Sequence, residues 1–181
     1  PDSFFGGSRF NETEEILTEA EKMLNDGADI IDIGGQSTRP GSELIPPDEE
    51  IKRVIPAIKT IANKFPKAFI SIDTFYSKVA IAAVGAGATV VNDISAGSMD
   101  NKMIETVAEL KVPYVLMHMK GTPQTMQQNT DYENATREVL DFFIAKTHEL
   151  KKAGIIDIII DPGFGFAKTI EQNFELLKNL S

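Results

Sequence analysis

Residues 31–43 read IDIGGQSTRPGSE: an apolar run (Ile30, Ile31, Ile33) breaks at Gly34-Gly35 into Gln36, Ser37, Thr38 and Arg39. Thr38 brings a hydroxyl and a nearby backbone N–H, and Arg39 a planar guanidinium fork, a set that suits phosphate oxygens. A plain connecting loop accounts for the same Gly, Ser and Pro residues, so spacing alone leaves both readings open. Other strand-like runs also end in polar groups: Asp73-Thr74, Asn92-Asp93, His118 and Asp161. Asn92 carries both a donor and an acceptor. Asp161 ends its run just before Pro162-Gly163, and Asp73 sits at the same level on another strand. Each has a structural alternative: Asp161 as a loop cap, Asn92 as a loop-satisfying amide, and Asp73 as the N-cap of a helix starting near Ser77.

The elements that must position these groups alternate. Short Ile- and Val-rich strands are expected at 29–33, 69–73, 89–93, 114–117 and 157–161, buried on both faces. Amphipathic helices are expected at 12–25, 48–63, 77–86, 101–110, 134–153 and 170–180. The phrases DGADIIDI, GAGATVVNDI and KKAGIIDIII each set a glycine at a helix end just before an apolar strand. Strict βα alternation with polar groups at nearly every strand end points to a (β/α)8 barrel, whose strand ends converge on one mouth. A doubly wound sheet would gather only the few near its switch point. Five strands in 181 residues make the barrel incomplete, and the start without methionine and the abrupt end read as a segment of a longer protein.

Strand parity sorts the side chains. Asn92 shares a face with Val90, Asp161 with Ile159, and Met117 with Val115, whereas His118 turns toward the helices as a structural histidine. His148, in KTHELKK, is expected in solvent, and Lys168 is expected as a solvated lysine.

Composition bounds the rest. The 181 residues are 42% hydrophobic, enough for one buried domain, and no apolar run reaches the ~18 residues that span a bilayer. The absence of cysteine excludes disulfides and thiolate zinc, and fits a reducing cytoplasm. A net charge of -9 argues against nucleic acid and anionic membranes as partners.

Six stretches in order, PDSF (1–4), DIIDIGGQSTRPG (29–41), ISIDT (70–74), VNDIS (91–95), LMHMKGTPQTMQ (116–127) and DPGFGFAKT (161–169), resemble the dihydropteroate synthases. These are folate-pathway enzymes and sulfonamide targets. The resemblance covers essentially the whole chain, as a single pterin-binding barrel domain over 1–181 that holds strands 2–6 of the family's barrel. It implies that an Mg2+-associated asparagine lies upstream of Pro1, leaving no metal ligand within the chain. A pterin-contacting lysine and an Arg-x-His pair would lie beyond Ser181. The family is also associated with homodimers.

The resemblance implies condensation of 6-hydroxymethyl-7,8-dihydropterin diphosphate with p-aminobenzoate, releasing pyrophosphate. Asp161 would then accept the pterin's paired amino and ring N–H donors, with Asn92 at the ring edge. Asp73 would place negative charge near the cation that develops at the methylene. Met117 and Phe166 would sandwich the ring, although either residue also fills a core. Thr38 and Arg39 would cover the diphosphate, and Phe4 would wall the p-aminobenzoate ring. Asp73 and Arg39 are the candidate catalytic pair. Gly34 and Gly35 are expected to turn the chain sharply out of the strand. Gly6 stands where the family pattern PDSFxDGG has an aspartate, so a carboxylate partner for Arg39 is missing there. Two other functions fit parts of the pattern: the folate-binding domain of a corrinoid-dependent methyltransferase, and a non-catalytic pterin-binding fragment. The STRPG segment favours the synthase.

Overall fold

The computed structural model describes residues 9–36 and 43–180, with side chains of the first helix from Thr13 onward. Helix and strand alternate as α1 (Arg9–Asn25), β1 (Ile30–Gly34), α2 (Pro47–Lys64), β2 (Phe69–Asp73), α3 (Ser77–Ala86), β3 (Val90–Asp93), α4 (Met103–Leu110), β4 (Tyr114–Met117), α5 (Ala135–Lys152), β5 (Ile158–Asp161) and α6 (Ile170–Lys178). A 3-10 turn, Met126–Gln128, lies between β4 and α5. The sequence places β2, β4 and α3 at these bounds and every other element within three residues of them.

Local chemistry sets the helix ends. Pro47 opens α2 where its missing N–H costs nothing, and Asp48, Glu49 and Glu50 follow in the first turn. Asn134 caps α5 by accepting from Arg137 N–H, and Thr169 with Gln172 forms a capping box on α6. The three repeated glycines, Gly27, Gly87 and Gly154, lie just past helix ends at φ of 100°, 120° and 97°, a region that side chains with a Cβ seldom enter.

All five strands are parallel, in the order β1-β2-β3-β4-β5. Unreversed sequential order is that of a barrel wall, since a doubly wound sheet reverses at its switch point. The core lies between the sheet's outer face and the helices. Ile31, Ile70, Ile72, Val91, Tyr114 and Leu116 from the strands meet Val54 and Ile58 of α2, Val79 and Ala83 of α3, Val107 of α4 and Val139 of α5. Full burial of such a side chain contributes roughly 1.5–3 kcal/mol, so this layer carries most of the fold's stability.

Burial on both faces, expected of every strand, holds only for part of the sheet. Phe69 is 59% exposed and Ile159 43%, both on the inner face, because nothing among the described residues stands opposite them across the barrel axis.

Candidate active site at the strand ends

The strand register gathers the polar groups on one face. Gly34 pairs with Asp73 and Asp73 with Asn92, so these three form one row across β1, β2 and β3. Asn92 pairs with Val115, which places Met117, two residues on, on the same face. Met117 then pairs with Asp161. The inner face therefore carries Asp73, Asn92, Met117 and Asp161 at its carboxyl-terminal edge. Phe166 packs against the small cluster of Phe75, Ile94 and Met117 beside them. Phe4, Thr38 and Arg39 lie outside the described residues, as do Gly6 and Ser37.

Asp73 is held in an acidic environment. Burial, then the neighbouring carboxylates Asp32, Glu50 and Asp93, push its pKa up to about 7. Among the described residues no side chain or backbone group donates a hydrogen bond to it. It does not cap α3, since the N–H of Ser77 donates instead to Asp100 Oδ2 at 2.7 Å. Asp161 combines its two readings: Oδ1 accepts from Gly163 N–H at 2.8 Å, capping the loop, while the carboxyl group keeps its place on the inner face.

The chain bends at Gly35 and Gln36 directly after Gly34 closes β1, as expected, and it does so without a positive φ at either glycine; both glycines also permit close packing. A Cβ on Gly34 would lie 3.2 Å from Asp73 Oδ2, so its absence leaves room for that carboxylate. A Cβ on Gly35 would come within 2.8 Å of Glu50 Cγ, where α2 packs against the strand end. Beyond them Gln36 closes the loop stems. Its side-chain amide donates to Ile45 O at 2.8 Å and accepts from Ile45 N–H at 3.2 Å. It also donates to Glu50 Oε2 at 3.4 Å, and Tyr76 Oη donates to Ile45 O at 3.3 Å. Burial raises the Glu50 pKa to about 7, only partly offset by Thr74, Gln36 and Arg53.

Asp32 is a site neighbour that the sequence reading passed over. It accepts from Asn92 Nδ2 at 3.3 Å and so orients that amide with its oxygen turned elsewhere. Burial raises its pKa, with Ser71 and Asn92 opposing the shift. Period-two parity would have found it, because it lies two residues before Gly34 on the inner face.

His118 behaves as a structural residue. It is buried on the helix side, 4.9 Å from the Phe142 ring centroid in an edge contact, and near Phe143 and Tyr132. Burial lowers its pKa to about 4, and the nearby Lys168 and Lys120 add to the effect. His148 is exposed.

Lys168 overturns its expectation as a solvated lysine: it is 5% exposed. Ala167, at φ 50°, turns the chain so that the lysine points inward. Its Nζ donates to the carbonyls of Phe166 at 2.9 Å, Gly163 at 3.0 Å and His118 at 3.2 Å. Burial lowers its pKa to about 8, with Asp161 acting in the opposite direction. Spacing in sequence gave no sign of this, because two of the three carbonyls come from the turn after β5 and one from fifty residues earlier.

Among the described residues no three His, Asp or Glu side chains converge as metal ligands, and no helix is long and apolar enough to cross a membrane.

The inner-face edge thus carries acceptor groups, a sulfur and an aromatic side chain beside them, and an acid-rich patch around Asp73. Known proteins resemble the chain throughout. It is 52% identical to the folic acid synthesis protein fol1 of Pneumocystis carinii, covering 100% of this chain and 25% of that protein. The dihydropteroate synthase of Yersinia pestis, solved as a sulfonamide drug complex, superposes with a TM-score of 0.90 at 37% identity, over 99% of this chain and 66% of that one. The Xanthomonas albilineans dihydropteroate synthase with 4-aminobenzoic acid gives a TM-score of 0.88 at 38% identity, over 99% and 64%. The chain thus spans from a quarter to about two-thirds of the length of these relatives. The profile of the family described as pterin binding enzyme matches residues 1–181, and the chain belongs to that family.

Proposed function

We propose that the protein to which this chain contributes is a dihydropteroate synthase. The amine of p-aminobenzoate attacks the methylene of 6-hydroxymethyl-7,8-dihydropterin diphosphate. A C–N bond forms, the C–O bond to the diphosphate breaks, pyrophosphate leaves, and the amine loses a proton. The observation that carries the reading is the shared inner face of Asp73, Asn92, Met117 and Asp161, set by register across four strands.

In this reading Asp161 accepts the pterin's amino and ring N–H donors, and Asn92 presents its oxygen to the ring edge. Met117 and Phe166 contact the ring faces. Asp73, when ionised, sits where positive charge develops on the methylene, and an anion near that carbon is worth most in a water-poor site. Thr38 and Arg39 are proposed to hold the diphosphate and Phe4 to bound the p-aminobenzoate ring, on the strength of the motif alone. Mg2+ would accompany the diphosphate of the substrate.

The relatives with a bound sulfonamide drug or 4-aminobenzoic acid support the choice of second substrate. A homodimer belongs to the same proposal, supported by the apolar surface of α5 and α6, where Leu140, Ile144 and Phe174 are 55–68% exposed. A cytoplasmic location is supported by the cysteine-free sequence. The test is turnover of the two substrates by the full-length protein, followed by release of pyrophosphate. A full-length protein that binds the pterin yet forms no dihydropteroate with p-aminobenzoate would contradict the assignment.

A further inference from the structure

Lys168 is a buried cation that the proposed chemistry does not use. Each of its three ammonium N–H groups has one acceptor, and all three acceptors are backbone carbonyls. A lysine rarely goes below one-tenth exposure without a purpose that offsets desolvation of its charge. Here the carbonyls belong to two segments that must stay in register at the rim of the site. His118 O lies just past the end of β4 at Met117, while Gly163 O and Phe166 O lie in the turn just after Asp161. The approach of these segments is unusually close: a Cβ on Gly163 would stand 2.2 Å from His118 O, and Gly163 adopts φ 68°. Only glycine fits there, and the ammonium lies against both facing carbonyls. The same Gly163 donates its N–H to Asp161 Oδ1. Lys168, Gly163 and Asp161 are thus linked in sequence by hydrogen bonds, and the lysine adds a positive charge near the carboxylate.

We propose that Lys168 is a positioning residue for the pterin half of the reaction, gathering the β4 and β5 ends so that Asp161 and Phe166 meet the ring in a fixed geometry. This rests on the reading of Asp161 as the pterin acceptor. Gly165 N–H, bonded to Asn173 Oδ1 at 2.8 Å, anchors the far side of the same turn on α6. Lys168 is the anchor on the site side.

The experiment uses the full-length protein with Lys168→Met, Asp161→Asn and the double variant. Equilibrium binding of a dihydropterin lacking the diphosphate is measured by calorimetry, and steady-state kinetics are run in both substrates. Lys168→Met is expected to weaken pterin binding about tenfold, the scale of one charge-assisted hydrogen bond lost at Asp161. The KM for p-aminobenzoate should stay within about twofold, a split that general loosening of the fold would not give. In the double variant the two effects should fall well short of additive, because the lysine acts through the carboxylate. Full additivity, or wild-type pterin affinity in folded Lys168→Met, would overturn the proposal. If Lys168→Met does not fold, Lys168→Gln keeps two N–H donors and carries the test: a loss of about threefold is expected, and unchanged affinity overturns the proposal. The underlying reading fails separately, when Asp161→Asn alone leaves pterin binding intact.

Discussion

Asp93 and Asp73 end neighbouring strands, and burial raises the pKa of both, yet the protein treats them in opposite ways. Asp93 faces the helices and is 0% exposed. Its four lone-pair positions are filled by Ser95 N–H at 2.8 Å, Ser95 Oγ at 2.7 Å, Gly97 N–H at 2.8 Å and Tyr114 Oη at 2.8 Å. Those donors shape the turn after β3, where Ala96 and Gly97 take positive φ. Asp73 faces the barrel interior among other carboxylates, with no donor among the described residues. A carboxylate whose acceptors are filled by its own chain is building material. One kept among like charges is a standing cost, which a ligand or a developing cation can relieve.

The largest expected effect tests the first half of that contrast. Asp93→Asn would aim an amide N–H2 at donors that need acceptors, leaving buried N–H groups unpaired. A loss of about 3 kcal/mol is expected in urea unfolding of the full-length protein. A change below about 1 kcal/mol would mean the four bonds contribute far less than their geometry implies.

Asp161 stands between the extremes, half committed to Gly163. Asp161→Asn should weaken pterin binding by about 2–3 kcal/mol, read by calorimetry, through loss of charge and one acceptor. Affinity near wild type would place the pterin elsewhere. Asn92→Ala should cost less, since it removes a single neutral acceptor from the ring edge.

His118 sharpens the comparison from the helix side, as a buried group that burial and nearby lysines keep neutral. Its folded pKa of about 4 lies below the ordinary 6.5, so the unfolded chain takes up a proton first as pH falls. Its share of stability is complete above about pH 6.5 and is lost progressively down to about pH 4. His118→Leu should flatten that slope by about 2 kcal/mol in unfolding experiments between these limits. It should leave pterin affinity unchanged, and a parallel slope in the variant would assign the pH dependence to other groups.

Most of the fold was legible because period-two runs, glycine caps and strand-end polarity all point to one architecture. The inner face followed from counting residues by twos, which put Asn92, Met117 and Asp161 together before any contact was known. Lys168 was not legible. GFAKT looks like solvent-facing loop chemistry, and its burial depends on Ala167 adopting positive φ and on His118 O approaching from β4. Glu50 escaped for a related reason: an acid in the first turn of a helix reads as a charge for the helix dipole, while Gly35 lets α2 pack closely enough to bury it. Both depend on how closely two distant segments pack, which no local pattern encodes.

The most direct test concerns Asp73, whose proposed role is to stand as an uncompensated carboxylate near the developing cation. Its folded pKa of about 7 exceeds the ordinary 3.8, so the folded state holds its proton longer than the unfolded chain does. Relative to its ionised form at high pH, that favours folding fully below about pH 3.8, and the benefit is lost as pH rises through about 7. Asp73→Asn keeps the shape and removes the charge. Urea unfolding of the full-length protein, wild type against Asp73→Asn, is measured at pH 8 and pH 5 beside turnover of both substrates. The variant is expected to be more stable by about 1–2 kcal/mol at pH 8, with the advantage smaller at pH 5, and to lose most of its turnover. An Asp73→Asn protein that is less stable at pH 8, or that turns over normally, would contradict the claim that this carboxylate is held uncompensated for the reaction.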